Sequence, residues 1–476
     1  MTREVRHLIG GERVGTPTAV RENPARPGET VAVSAAADTD LAGLAVAAAQ
    51  SAQPAWAATP APARGSILTE AAALLLARAD QVATDLTREE GKTLAEARGE
   101  VRRAVDILRF FGGEGWRANG QTLPSSLPDT FVYTKREPVG VVATITPWNF
   151  PIAIPAWKIA PALVSGNAVV LKPAELTPVS VWHLSEALRE AGLPPGVLNV
   201  VYGDGAVAGR ALVEDPRVGA VSFTGSVEVG QLIHAAVSAR RARVQLEMGG
   251  KNPLVVLDDA DPARAARIAA AGGYGLTGQA CTATSRVICT PGIHDAFVDA
   301  LLAEAARYQP GDGQSPGTLM GPVASAEQLA VDRSYLRIAA DQGGQVLAGG
   351  AEPDGLRQSA AVVVDVKPDH RIATEEVFGP VIAVLRADDL DGAVAVANAV
   401  PFGLAAGIVT NDLRAAHRFA DTVQAGVVKV NRPTSGLDLN VPFGGVKGSS
   451  TNTFREQGSV ATEFYTWTKS VYMGVD

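Results

Sequence analysis

The chain alternates short runs of β-branched residues with Ala-rich stretches of helical length, and it does so twice. Val139 to Ile145, Ala168 to Leu171, Val197 to Val201, Gly219 to Phe223 and Pro253 to Leu257 form one series. Arg286 to Cys289, Ala361 to Asp365, Val381 to Leu385, Ala406 to Val409 and Gly426 to Val430 form a second. Each run is bounded by Gly, Pro or Asp, and helical stretches separate most of them, the signature of βαβ units whose parallel strands are buried on both faces. The N-terminal Ala-rich stretches over 40–53 and 64–87 read as helices. Two successive series predict an α/β fold with two sheets, in keeping with a 476-residue chain that has room for two to four domains. The segments from Leu123 to Glu137 and from Thr462 to Tyr472 are rich in Thr, Tyr, Phe and Val, and read as strands outside both sheets.

Several function classes drop out early. The formal net charge is −8, with no block of five like charges, so no basic footprint for nucleic acid exists. No run of eighteen apolar residues predicts a membrane span, and the start of the chain has no secretory apolar core. Two cysteines exclude a disulfide framework and make the cytoplasm the default location. The six histidines are scattered, so no metal site is expected.

Six segments can carry chemistry. Gly278-Gln279-Ala280-Cys281-Thr282 places a thiol in a loop just before a strand. A nucleophilic cysteine needs such access, although a lone cysteine is more often a small core residue, the reading that suits Cys289. In Leu246-Glu247-Met248-Gly249-Gly250-Lys251-Asn252-Pro253, Glu247 is a carboxylate on a tight turn, either solvated or a general base tuned by burial. Thr146-Pro147-Trp148-Asn149-Phe150-Pro151 follows a strand at the end where α/β sheets bind ligands, and its Asn149 amide can serve an oxyanion or merely hold a turn. Lys172 and Glu175 follow the next strand and can grip ribose hydroxyls and phosphate, or form a surface ion pair of little worth. Phe223-Thr224-Gly225-Ser226-Val227-Glu228-Val229-Gly230 leads from a strand into a helix whose N-terminus favours an anion. Glu375-Glu376-Val377-Phe378-Gly379-Pro380 is not diagnostic by its chemistry. Gly203 to Gly209 imitates a dinucleotide fingerprint with one residue too many, and reads as a loop.

Taken in this order, and with Pro442 to Gly445, the segments resemble the aldehyde dehydrogenase superfamily over essentially the whole chain. The resemblance implies a Rossmann-like cofactor domain (1–121 and 140–247), an α/β catalytic domain (248–450) and a small β oligomerisation extension (122–139 and 451–476). It implies NAD as cofactor, with NADP use conceivable, a small-molecule aldehyde as substrate, and a homodimer or homotetramer. By that resemblance Cys281 is the nucleophile and Glu247 the general base. Asn149 and the Cys281 N–H form the oxyanion hole. Trp148, Gly225, Ser226 and Gly230 lie on the pyrophosphate side, Lys172 and Glu175 at the adenosine ribose, Glu376 at the nicotinamide ribose and Phe378 near that ring. Phe150, Trp157, Arg432 and Phe443 belong to the substrate pocket, with Arg432 the candidate anchor for a remote carboxylate.

The stretches Asn431 to Gly445 and Ser449 to Gly458 are similar to those of bacterial 2-oxoglutarate semialdehyde (2,5-dioxopentanoate) dehydrogenases. Succinate semialdehyde is the alternative substrate, with broad or aromatic aldehydes beside it. It ranks lower because that branch carries arginines where this chain has Trp157 and Gly275. Two further alternatives are acyl transfer to coenzyme A, whose branch generally lacks the base glutamate, and a non-catalytic binding protein, which would lack the cysteine or the base.

Overall fold

A computed structural model describes residues 2–474. Met1 and residues 475 and 476, included above in the cofactor and extension regions, lie outside the described residues. Two seven-stranded sheets dominate. The first runs Arg243–Glu247, Val218–Thr224, Val141–Ile145, Ala168–Lys172, Leu198–Val200, His7–Ile9, Glu12–Val14. Its first five strands are parallel, and the N-terminal hairpin closes one edge antiparallel. Val141–Ile145 is earliest in sequence among the parallel strands and sits between Val218–Thr224 and Ala168–Lys172. The chain order therefore reverses there, and a crevice opens at the carboxyl ends of these three strands.

The second sheet runs Gln345–Ala348, Ala361–Val364, Val381–Arg386, Thr284–Cys289, Asn252–Val256, Ala405–Val409, Val427–Val430, all parallel but the first. The strands Val141–Ile145, Ala168–Lys172, Asn252–Val256 and Ala405–Val409 are buried at every position, because helices cover both faces. The third structured unit pairs Thr466–Gly474 antiparallel with Thr130–Pro138, which in turn pairs with Thr122–Leu123. Among the described residues no helix is long and apolar enough to cross a membrane.

The structure revises the expected elements in four places. Asn252–Val256, read with the first series, lies at the centre of the second sheet. The strand it displaces is Arg243–Glu247, whose polar sequence hides its half-buried edge position. The helical stretch over 64–87 divides at Arg78 into Ala61–Ala77 and Ala79–Glu90. The charged segment Leu94–Glu114 is a further long helix, opened by a capping box in which Thr93 and Glu96 satisfy each other's backbone N–H groups.

Candidate active site

Met248 to Lys251 crosses from the end of one sheet to the start of the other. Glu247 is thus the last residue of a strand, opposite Thr224, rather than a turn residue. Carboxyl ends of the first sheet face amino ends of the second, and a cavity of about 290 Å³ lies between them. Asn149, Glu247 and Cys281 all line it, as do Trp148, Trp157, Gly225, Ser226, Glu376, Phe378 and Phe443.

Cys281 follows three successive left-handed residues, Leu276, Thr277 and Gly278. Its carbonyl accepts a hydrogen bond from Asn252 Nδ2 at 2.8 Å; the same amide donates to the Ala283 carbonyl at 2.9 Å. The first strand of the second sheet therefore fixes the cysteine loop. Cys281 remains partly accessible, but burial pushes its thiol up to about 12, with the Glu376 and Glu247 carboxylates adding to the effect. Cys289 is fully buried in the core of the second sheet.

Asn149 donates one amide hydrogen to the Gln279 carbonyl at 2.9 Å, leaving the second free. Glu247 is 2% exposed. One of its oxygens accepts from the Ser450 hydroxyl at 3.3 Å, and the other has no partner. Burial holds this carboxyl well above the usual range, and the Glu456 charge raises it further, while Lys158 and Arg455 pull the other way. Lys158 and Glu456 form a buried ion pair, and Lys158 also donates to Ser222 at 2.9 Å. Sequence reasoning did not single out this pair. Its members lie 298 residues apart, so no spacing could have joined them.

Glu375 and Glu376 point apart. Glu375 binds Arg371 and the Tyr335 hydroxyl, whereas Glu376 turns inward and accepts from Gly250 N at 2.9 Å. Burial pushes the Glu376 carboxyl up to about 7. A Cβ on Gly249 would fall 1.9 Å from its Oε2, so a side chain there would displace the Glu376 carboxyl from the cavity wall. Phe378 packs edge-on against Trp148, with ring centroids 5.5 Å apart. Trp157 and Phe443 form another wall at 6.0 Å.

At the rim, Lys172 and Glu175 form an ion pair. The Gly205–Gly209 segment, expected as a loop, is a π-turn whose Gly205 and Gly209 lie beside the Lys172 side chain. Ser226 caps the helix Val227–Ala239, whose free N–H groups give it a positive end at the crevice. Gly230 is buried against Met248 and Phe223 and does not reach the cavity. Phe150 lies below the Lys92 ammonium, 4.7 Å from ring centre to nitrogen, outside the cavity wall. Arg432 is exposed and stands outside it too. Among the described residues no cluster could hold a metal ion.

Residues 14–471 match the model of the aldehyde dehydrogenase family. The alpha-ketoglutarate semialdehyde dehydrogenase of Haloferax volcanii is 48% identical, with 99% of each chain covered. The 2,5-dioxopentanoate dehydrogenase of Saccharolobus solfataricus is 46% identical over 88% of each. The crystal structure of an NAD-dependent aldehyde dehydrogenase from Sinorhizobium meliloti superposes with a TM-score of 0.96 at 37% identity, covering 99% of this chain and 95% of that one. A partly accessible thiol, a buried carboxyl with one free oxygen and an amide with one free hydrogen line one cavity, and the chain belongs to the aldehyde dehydrogenase family.

Proposed function

We propose that this enzyme oxidises 2-oxoglutarate semialdehyde to 2-oxoglutarate with NAD, through a thioester on Cys281. The carrying observation is that Cys281, Glu247 and Asn149, from three separate segments, line one cavity at the sheet's switch point. The acidic substrate rests on the relatives named for it.

The partly accessible Cys281 thiol gives up its proton to solvent water as sulfur bonds to the aldehyde carbon. Charge then develops on the carbonyl oxygen, where the free Asn149 amide hydrogen and the Cys281 N–H donate. Loss of one such donor costs about 2.7–4 kcal/mol of transition-state stabilisation. NAD, which the Lys172–Glu175 pair, the Ser226 helix end and Glu376 would hold, would supply the hydride acceptor that lets the adduct become a thioester. Ionised Glu247 then takes a proton from water, whose oxygen attacks the acyl carbon, and the carbon–sulfur bond breaks. Lys158 and Arg455 favour the ionised carboxylate needed for that step.

On the cofactor side, Glu175 accepts hydrogen bonds from the adenosine ribose and disfavours a 2′-phosphate, while Lys172 tempers the discrimination. Residues 1–121 and 140–247 form the cofactor domain and 248–450 the catalytic domain. The strands within 122–139 and 451–476 build a homodimer or homotetramer, and the enzyme works in the cytoplasm. A second substrate reading has its own support. Among the described residues lining the cavity none is Lys or Arg, and Ile154, Trp157 and Phe443 suit a neutral or aromatic aldehyde.

The test is kcat/KM for 2-oxoglutarate semialdehyde, succinate semialdehyde, pentanal and benzaldehyde, each with NAD, NADP and added coenzyme A. A preference for the first, unaffected by coenzyme A, is expected. A preference for pentanal or benzaldehyde overturns the acidic reading, and dependence on coenzyme A overturns hydrolysis.

A further inference from the structure

Lys92 and Glu100 lie within two turns of the start of the helix Leu94–Glu114, and their side chains are 1% and 2% exposed. A buried ion pair is costly to desolvate and by itself is weak evidence of stability. This one is aimed. Lys92 Nζ donates to Glu100 Oε2 and to the Asn149 backbone carbonyl, both at 2.6 Å. Glu100 Oε1 accepts from Ile152 N at 3.0 Å and Ala153 N at 3.1 Å. The ammonium also sits over the Phe150 ring. The pair therefore grips the Asn149 loop on both sides.

The same helix end reaches the nucleophile loop. Glu96 caps the helix through Thr93 with one oxygen and accepts from Leu276 N at 2.7 Å with the other. Leu276 begins the run of left-handed residues that delivers Cys281. The Asn149 amide then meets that loop at the Gln279 carbonyl. One helix terminus is thus bonded to both carriers of the reacting groups.

We infer that Lys92 and Glu100, supported by Glu96, are positioning residues that fix the Asn149 amide relative to Cys281. The inference rests on the reading of Asn149 as oxyanion donor. A displacement of about 1 Å at such a donor can cost on the order of a hundredfold in rate. Removing both charges together, as Lys92→Met/Glu100→Gln, avoids leaving one unpaired.

The experiment measures the pre-steady-state NADH burst rate in four enzymes: the parent, Lys92→Met/Glu100→Gln, Asn149→Ala, and all three substitutions combined. NAD affinity is followed by fluorescence titration. The pair substitution is expected to slow the burst roughly 10- to 100-fold with NAD affinity unchanged. In the Asn149→Ala background it should slow the burst less than about twofold, because an absent amide cannot be misplaced. Equal losses in both backgrounds would show a general structural role and overturn the inference, as would an unchanged burst in the pair variant. An unchanged burst in Asn149→Ala alone would instead reject the oxyanion reading. If the pair variant does not fold, Glu100→Gln is measured in the same cycle. It keeps an acceptor for Ile152 and Ala153 while weakening the Lys92 bond, and the same non-additivity decides.

Discussion

Glu247 and Glu175 lie toward the carboxyl ends of the same sheet, on opposite sides of the strand Val141–Ile145, and they have opposite surroundings. Glu175 is half exposed and paired with Lys172 at the rim. Glu247 is buried, with one oxygen unpartnered and a carboxyl held well above its ordinary range. A carboxylate that remains solvated and paired is fitted to accept hydrogen bonds from a ligand. One that burial has made basic is fitted to take a proton. The residue type is shared, and depth in the cleft decides the role.

The interior should tolerate change least. Cys281→Ala is expected to lower turnover at least about a thousandfold while leaving NAD affinity within about twofold, since the nucleophile acts only in bond formation. Cys289→Ala, the other thiol of the chain, should keep most activity because it contributes only to the core. Comparable losses in both variants, measured as NADH formation, would erase the distinction between site and core.

The second prediction concerns pH. Glu247 can act as a base only when ionised, and burial moves its ionisation to higher pH. Deacylation should therefore fall as pH falls, with a midpoint above the ordinary carboxyl value of 4.5. Lys158 opposes that shift, so Lys158→Met should move the acid limb further up. A stationary limb in the pH profile of steady-state turnover would place the base elsewhere.

The rim should respond most gently. Glu175→Ser is expected to raise the NADP/NAD ratio of kcat/KM about tenfold, the worth of one charge-assisted hydrogen bond, with little change in aldehyde KM. A ratio unchanged by the substitution would mean that the ion pair with Lys172 is a surface contact only.

Much of the architecture was legible in the sequence. Strands such as Ala168–Lys172 and Asn252–Val256 are buried on both faces and must be written in unbroken apolar residues. The edge strand Arg243–Glu247 escaped because half of it is polar, and the three-stranded N-terminal sheet of Arg3–Val5, Pro17–Asn23 and Arg26–Ala35 escaped for lack of continuous apolar runs. Asn149, Glu247 and Cys281 were legible through the motifs around them. Lys158, Glu456, Lys92 and Glu100 were not, because a charged residue reads as solvated until tertiary structure buries it. Arg432 reads as an anion anchor from its place in the sequence, but its side chain is exposed, outside the residues that line the cavity.

Acyl transfer on Cys281 and its release by Glu247 are separable steps. Glu247→Gln mixed with NAD and 2-oxoglutarate semialdehyde should form close to one NADH per site and then stall. Intact-protein and peptide mass spectrometry of the stalled enzyme should place the acyl group on Cys281. Unimpaired steady turnover, or an acyl group on any other residue, would contradict this division of roles.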